Sequence, residues 1–263
     1  MVAKGNECSI VFCGTTPNIG TTVVAFSTAV QCARESSEKI GFFCLNLKSS
    51  KLHHYLNDTP KYTLDRLQPE LQATCLTDQR LLSVMTKPLK EHSNLYVMYG
   101  NQLREMAERY TPSEISHLLG VAGRIFSKVI IDVNAYWDNA ATVQAMLQAD
   151  IRIIVTTGNY TNFYTDWMGW MNRLNDTYKL AVKVDAVVVS QWQYNTYIHS
   201  ISDLIRTTGI TSVNKVSHMA QLPVHLARGD FRRILSEQGF KQEIMKVVHQ
   251  QVNLPHIFTR QGA

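Results

Sequence analysis

Residues 8–32 read CSIVFCGTTPNIGTTVVAFSTAVQC. A short apolar run, Ile10 to Cys13, meets a loop of small residues, Gly14 to Gly20. A helical pattern then opens at Thr21-Thr22 and carries Val23, Val24, Phe26, Ala29 and Val30. Strand, tight loop and helix start, in that order, make a phosphate-binding arrangement, because backbone N–H groups and the positive end of the helix dipole converge on one spot. The usual pattern is G-x-x-x-x-G-K-[ST], in which the Lys reaches the β- and γ-phosphates and the hydroxyl ligates Mg²⁺. Here Thr15 stands for the first Gly, Gly20 is kept, Thr21 stands for the Lys and Thr22 keeps the hydroxyl. The shape of the loop is expected to persist without its main charge.

Outward from this stretch, apolar strand signals alternate with helical ones, the pattern of a parallel α/β sheet. Strands are expected at Ser9 to Cys13, Ile40 to Leu47, Asn94 to Tyr99, Lys128 to Asp132, Ile151 to Thr156 and Val184 to Ser190. Short ones near Ser212 to Val216 and Ala220 to Pro223 would close the sheet. The nearly continuous hydrophobicity of these runs implies burial on both faces. Thr111-Pro112-Ser113-Glu114 carries the signs of a helix start, and that helix runs to about Phe126. Further helices are read at 139–148, at 162–180, at 197–207, at 231–237 and at 238–251, with short ones around Leu64, Leu67, Leu71 and Leu81 to Met85. The expected fold class is therefore α/β: a doubly wound, mostly parallel sheet flanked by helices. Neither an internal repeat nor a linker is evident, so residues 1–263 read as one domain.

Composition narrows the function. The chain is 45% hydrophobic and 18% charged, ordinary for a globular protein. No apolar run approaches the roughly 20 residues that span a bilayer, and the first residues lack a signal-peptide core, so a cytoplasmic location is expected. The five cysteines (Cys8, Cys13, Cys32, Cys44, Cys75) have no zinc spacing and read as small buried hydrophobes. A net charge of +5 is mild. Its modest clusters, at Lys48/Lys51/His53/His54, Lys87/Lys90 and Arg228/Arg232/Arg233, support nucleic-acid binding only weakly. Trp167, Trp170 and Tyr164 read as core or an oligomer face. The last helix, with Phe240, Ile244, Val247 and Val248 on one side, is expected to pack on the sheet rather than lie on a membrane.

Taken together, the order of these features resembles the ParA/MinD family of deviant-Walker P-loop ATPases, which includes partitioning proteins, division-site regulators and TadZ/CpaE-type proteins of pilus assembly. The likeness runs over about residues 9–229. The family's K-G-G-x-G-K-[ST] aligns with Thr16, Pro17, Asn18, Ile19, Gly20, Thr21 and Thr22, and its D-x-D strand end with Asn46-Leu47-Lys48. Its Gly-Asn strand end resembles Gly100-Asn101, and its Walker B strand resembles Val129-Ile130-Ile131-Asp132. The strand end by the base aligns with Val187 to Gln191, and its Leu-Pro with Leu222-Pro223. The resemblance implies that Thr16, Pro17, Asn18, Ile19, Gly20, Thr21, Thr22, Asn46, Lys48 and Asp132, with Gln191 and Pro223 near the base, line a nucleotide site. It also implies that Thr22 and Asp132 serve Mg²⁺.

The departures fall on the chemistry. Thr16 and Thr21 stand where the family has its two lysines, and Asn46 and Lys48 replace the two Asp positions. Pro17 removes one N–H from the cradle. Phosphoryl transfer depends on positioning and on cations that neutralise developing charge, one such cation being worth roughly 10³–10⁵ in rate, so efficient hydrolysis is not expected. Lys48 is a candidate to swing toward the phosphates and replace the lost charge; the alternative is a solvated surface Lys. Asp132 is either a Mg²⁺-site carboxylate or a strand end capping the loop at Asn134. The expected role is that of a positioning or assembly factor acting through protein partners, with a homodimer possible and ATP and Mg²⁺ as its candidate cofactors. A weak ATPase working as an ATP-dependent dimer switch, and a nonspecific DNA-binding partition protein, stand as the alternatives.

Overall fold

The computed structural model describes residues 8–48, 50–169, 171, 176, 182–193 and 200–253. Its centre is a seven-stranded sheet in the order β3-β2-β4-β1-β5-β6-β7, every neighbouring pair parallel. The strands are β1 (Cys8–Gly14), β2 (Ile40–Leu45), β3 (Leu95–Met98), β4 (Lys128–Val133), β5 (Ile151–Thr157), β6 (Ala186–Trp192) and β7 (Val213–Ser217). Each expected strand but one is present within a residue or two of its expected span. The exception is Ala220 to Pro223, where Leu222–Ala227 forms a short helix with Pro223 in its first turn. Proline cannot donate to a ladder but fits a helix start, so the apolar pair Leu222-Pro223 opens a helix.

Alternate residues of the strands serve opposite faces, as the two-residue period of a strand requires. Ile10 and Phe12 of β1, with Phe42 and Cys44 of β2, pack under α1 (Thr21–Glu35). Val11, Cys13, Phe43 and Leu45 pack on the other face. Four short segments, α2 (Leu52–Tyr55), α3 (Gln68–Gln72), α4 (Asp78–Val84) and a 3₁₀ turn at Leu64–Leu67, fold between β2 and β3. A second 3₁₀ helix, Arg104–Arg109, follows β3. The helices α5 (Pro112–Ile125) and α6 (Ala140–Gln148) cover the second face. After β5 a π-helical segment, Thr161–Met168, buries Phe163 and Trp167 and leaves Tyr164 exposed, its ring stacked on Tyr160 at 4.9 Å. Positions 170, 172–175 and 177–180 of the helix expected to continue to Leu180, Trp170 among them, lie outside the described residues, as do positions 197–199 of the next one. That helix, α7 (Ile201–Thr208), is capped by Ser200. The chain continues through α8 (Leu222–Ala227), α9 (Phe231–Ser236) and α10 (Gln238–Val247). Phe240, Ile244 and Val247 of α10 are buried against the first face, so its apolar side is taken up by the sheet and α1.

Four cysteines, Cys8, Cys13, Cys32 and Cys44, are buried, while Cys75 is exposed. No helix among the described residues is long and apolar enough to cross a membrane.

The start of α5 is formed as its sequence dictates. The Thr111 hydroxyl accepts from the Glu114 N–H and the Glu114 carboxylate accepts from the Thr111 N–H, so two otherwise unpaired donors are satisfied. Thr111→Ala is expected to lower stability by about 1 kcal/mol and Thr111→Ser to restore most of it, read from urea midpoints at an unchanged m-value.

Candidate functional site

The carboxyl ends of β1, β2, β4 and β6 open on a cleft of about 570 Å³, in the size range of small-molecule sites. In a doubly wound sheet this edge is where connections diverge to opposite faces and leave a crevice. The floor is the loop between β1 and α1. It is anchored to β5 by the Thr15 N–H on the Val155 carbonyl at 2.9 Å, and by the Thr15 and Thr156 hydroxyls at 3.2 Å. Gly20 takes the left-handed conformation, φ +94°, and a Cβ there would also stand 2.9 Å from the Ser190 hydroxyl. Only glycine meets both demands. As the residue before α1 it carries no capping side chain, and no side-chain cap bond is made at this helix start among the described residues. The first N–H groups of α1 are thus presented to the cleft, the condition for an anion site at a helix start.

Six residues of the expected set on this loop, Thr16, Pro17, Asn18, Gly20, Thr21 and Thr22, line the cleft. Ile19 does not: it is buried in the core beneath α1, because the left-handed turn at Asn18 (φ 63°) points the next side chain inward. Thr21, at the position of the missing lysine, places its hydroxyl 2.5 Å from where a Cβ on Gly14 would lie. The side chain is therefore folded back under its own loop, and Gly14 is needed to admit it.

Behind the loop, the Thr22 hydroxyl donates to Asp132 Oδ2 at 2.7 Å. Asp132 is fully buried and does not line the cleft; it touches it only through Thr22. Nor does it cap the loop at Asn134, whose own side chain accepts from the Tyr136 N–H. Burial pushes the Asp132 carboxyl from its ordinary value of 3.8 up to about 7, against the opposing pull of the hydrogen bonds from Thr22 and Cys44. Its second oxygen, Oδ1, has no partner among the described residues, and neither has the buried Oδ1 of Asn46 at the end of β2. Buried oxygens of this kind call for a donor or a cation.

Asn46, Lys48, Gln191 and Pro223 also line the cleft. Gln191 is itself left-handed, φ 53°, where the register between β6 and β7 shifts. Lys48 is neither a free cation over the loop nor a solvated surface side chain. Its Nζ donates to Asp138 Oδ2 at 2.6 Å and lies 3.4 Å from Glu108 Oε1, with only 14% of the side chain exposed. The hydrogen bond to Asp138 raises its pKa. Asp138 belongs to the loop after β4 and Glu108 to the 3₁₀ helix after β3, so the ammonium ties three connections together.

The cleft also draws on residues that the sequence reading did not single out as site residues: Lys51, Tyr55, Arg104, Asn134, Tyr136, Leu222 and Leu226. A signal for them existed in topology. Each follows the carboxyl end of a strand, where connections converge whatever their local pattern. Asn101, by contrast, turns inward and accepts from the Tyr110 hydroxyl at 3.0 Å, a structural role.

The residues present fit a magnesium nucleotide in shape and in donors: an uncapped helix start, a hydroxyl–carboxylate pair beneath it and two orphaned oxygens. They lack a cation within the loop itself.

The chain matches no protein-family model and no curated protein. Among solved structures it is similar to a ParA family ATPase from Chlorobium tepidum, at 15% identity and a TM-score of 0.78, over 93% of this chain and 99% of the other. The MinC:MinD cell division complex of Aquifex aeolicus matches at 13% identity and a TM-score of 0.74, over 97% and 100%. The septum site-determining protein MinD of Pyrococcus horikoshii, complexed with Mg-ADP, matches at 14% identity and a TM-score of 0.73, over 94% and 96%. At such identities the likeness is one of fold, and the chain has the fold of the ParA/MinD P-loop ATPases.

Proposed function

We propose that this chain is a degenerate ParA/MinD-type protein that holds a magnesium nucleotide without turning it over efficiently and acts as a positioning or assembly factor through protein contacts. The observation that carries this reading is the loop itself. Its backbone shape and the Thr22–Asp132 pair are kept, while Thr21 stands in the lysine position with its hydroxyl folded back toward Gly14. In this reading Gly20, Thr21 and Thr22 would hold the phosphates with backbone N–H groups, and Thr22 with Asp132 would hold Mg²⁺. A bound Mg²⁺ neutralises charge on the phosphate oxygens. The step that a loop lysine serves, stabilising charge on the transferring phosphoryl group, has no residue assigned to it.

Protein contact is supported by where the exposed apolar side chains lie. Apart from Leu147 near the end of α6, the large apolar side chains exposed among the described residues are Leu103, Tyr136, Tyr160, Tyr164 and Val224. They follow β3, β4, β5 and β7 at the same edge of the sheet as the cleft. Aromatic residues on such an edge are the usual anchors of a protein interface.

Calorimetry with ATP and ADP, with and without Mg²⁺, tests the reading. Magnesium-dependent binding below the millimolar range is expected, together with phosphate release no faster than in the absence of protein. Turnover above that background, or no binding at millimolar nucleotide, overturns it.

Asp132 supplies a second test. Between about pH 4 and pH 7 the native protein retains a proton that the unfolded chain has released. Stability therefore falls as pH rises through that window and levels off above it. Asp132→Asn removes this dependence. Its melting temperature is expected to exceed the native protein's by several degrees at pH 8, with the difference vanishing toward pH 4. An equal effect at both pH values would show the carboxyl to be ionised throughout.

A further inference from the structure

The cleft has a charge pattern that the loop does not account for. Three basic side chains, Lys48, Lys51 and Arg104, line it, and no aspartate or glutamate does. The three are not equivalent. Lys48 is engaged with Asp138 and Glu108. Lys51, just before α2, and Arg104, at the start of the 3₁₀ helix after β3, are exposed and make no ion pair with any described residue. They face the cleft from the β2 and β3 side, away from the loop's anchor on β5.

We infer that the cleft takes a polyphosphate anion whose charge is met at its rim by Lys51 and Arg104, not from within the loop, and that Lys48 acts as a positioning residue for Arg104. The inference rests on the nucleotide reading above and adds to it the source of the counter-charge. The argument for Lys48 is geometric. Its Glu108 partner lies on the same 3₁₀ helix, Arg104–Arg109, that Arg104 opens. The bridge therefore fixes that helix to the end of β2, and Asp138 fixes the ammonium from the β4 side. With its charge already matched by two carboxylates, Lys48 has little left for a ligand. Arg104 and Lys51 keep theirs, and a guanidinium offers a fork of donors suited to phosphate oxygens. An anion with several charges gains from both cations and from the helix start together, whereas a single phosphate cannot reach all three.

The test uses the full chain at low salt, titrated with sodium tripolyphosphate and, separately, with Mg-ATP. Lys51→Ala and Arg104→Ala are each expected to weaken both ligands about tenfold, and the double variant by more than about fiftyfold. Lys241→Ala, on α10 away from the cleft, should change affinity less than about twofold and controls for net charge. Inorganic phosphate should bind far more weakly than tripolyphosphate. For Lys48 the readout is a double-mutant cycle. Lys48→Ala and Arg104→Ala should be non-additive, because the first removes what aims the second, whereas Lys48→Ala and Lys51→Ala should add. Both rim residues are exposed, so thermal melts of their variants should match the native protein. Native-like affinity in the double variant overturns this inference and leaves the nucleotide reading standing. No binding of either ligand to the native chain overturns both.

Discussion

A strand paired on both edges and covered on both faces has to be apolar over most of its length. β1 is apolar from Ile10 to Cys13, its one polar side chain, Ser9, being bonded to Asp150 at the opposite end from the cleft. The strand is hydrogen-bonded to β4 on one side and β5 on the other, with α1 over one face and α5 and α6 over the other. From Ile10 to Cys13 no polar side chain leaves the sheet. The first residues free to carry donors are those after Gly14, and they emerge at the one edge where the neighbouring connections also diverge. The position of the cleft follows from the burial of β1.

The electrostatics of that edge are layered by depth. Deepest lies Asp132, cut off from solvent, which keeps a proton to near neutrality. Above it the Thr22 hydroxyl relays between carboxyl and cleft. Higher still, Lys48 is matched by two carboxylates. Among the described residues that line the cleft, unpaired positive charge lies at the surface, on Lys51 and Arg104. Desolvation explains the order: an unmatched cation is costly inside and cheap in water.

Much of the fold was legible because buried parallel strands are written as unbroken apolar runs, and β1, β2, β4, β5 and β6 all carry one. The start of α5 was legible for a different reason, since capping is local chemistry and Thr111-Pro112-Ser113-Glu114 contains all of it. Ala220 to Pro223 was misread because four residues are too few to show a period, and the proline there opens a helix. At the site, the loop residues could be read from spacing, since a phosphate-binding turn is contiguous in sequence. Ile19 could not, because its inward orientation depends on the backbone at Asn18. Arg104 carries no pattern of its own and Lys51 shows only as one of a modest basic cluster, and they reach the cleft because the sheet brings its connections together at one edge. The pairing of Lys48 with Asp138, 90 residues on, is likewise a product of topology and left no local trace.

The long reach of β1 has a consequence for how the protein is made. Its two partners are drawn from residues 128–133 and 151–157, so the strand that organises the sheet leaves the ribosome well before either neighbour exists. Loop closure over such separations is slow compared with local helix formation. β1 and α1 are therefore made before the strands that bury them, and the apolar surface of β1 has no partner strand until β4 and β5 follow.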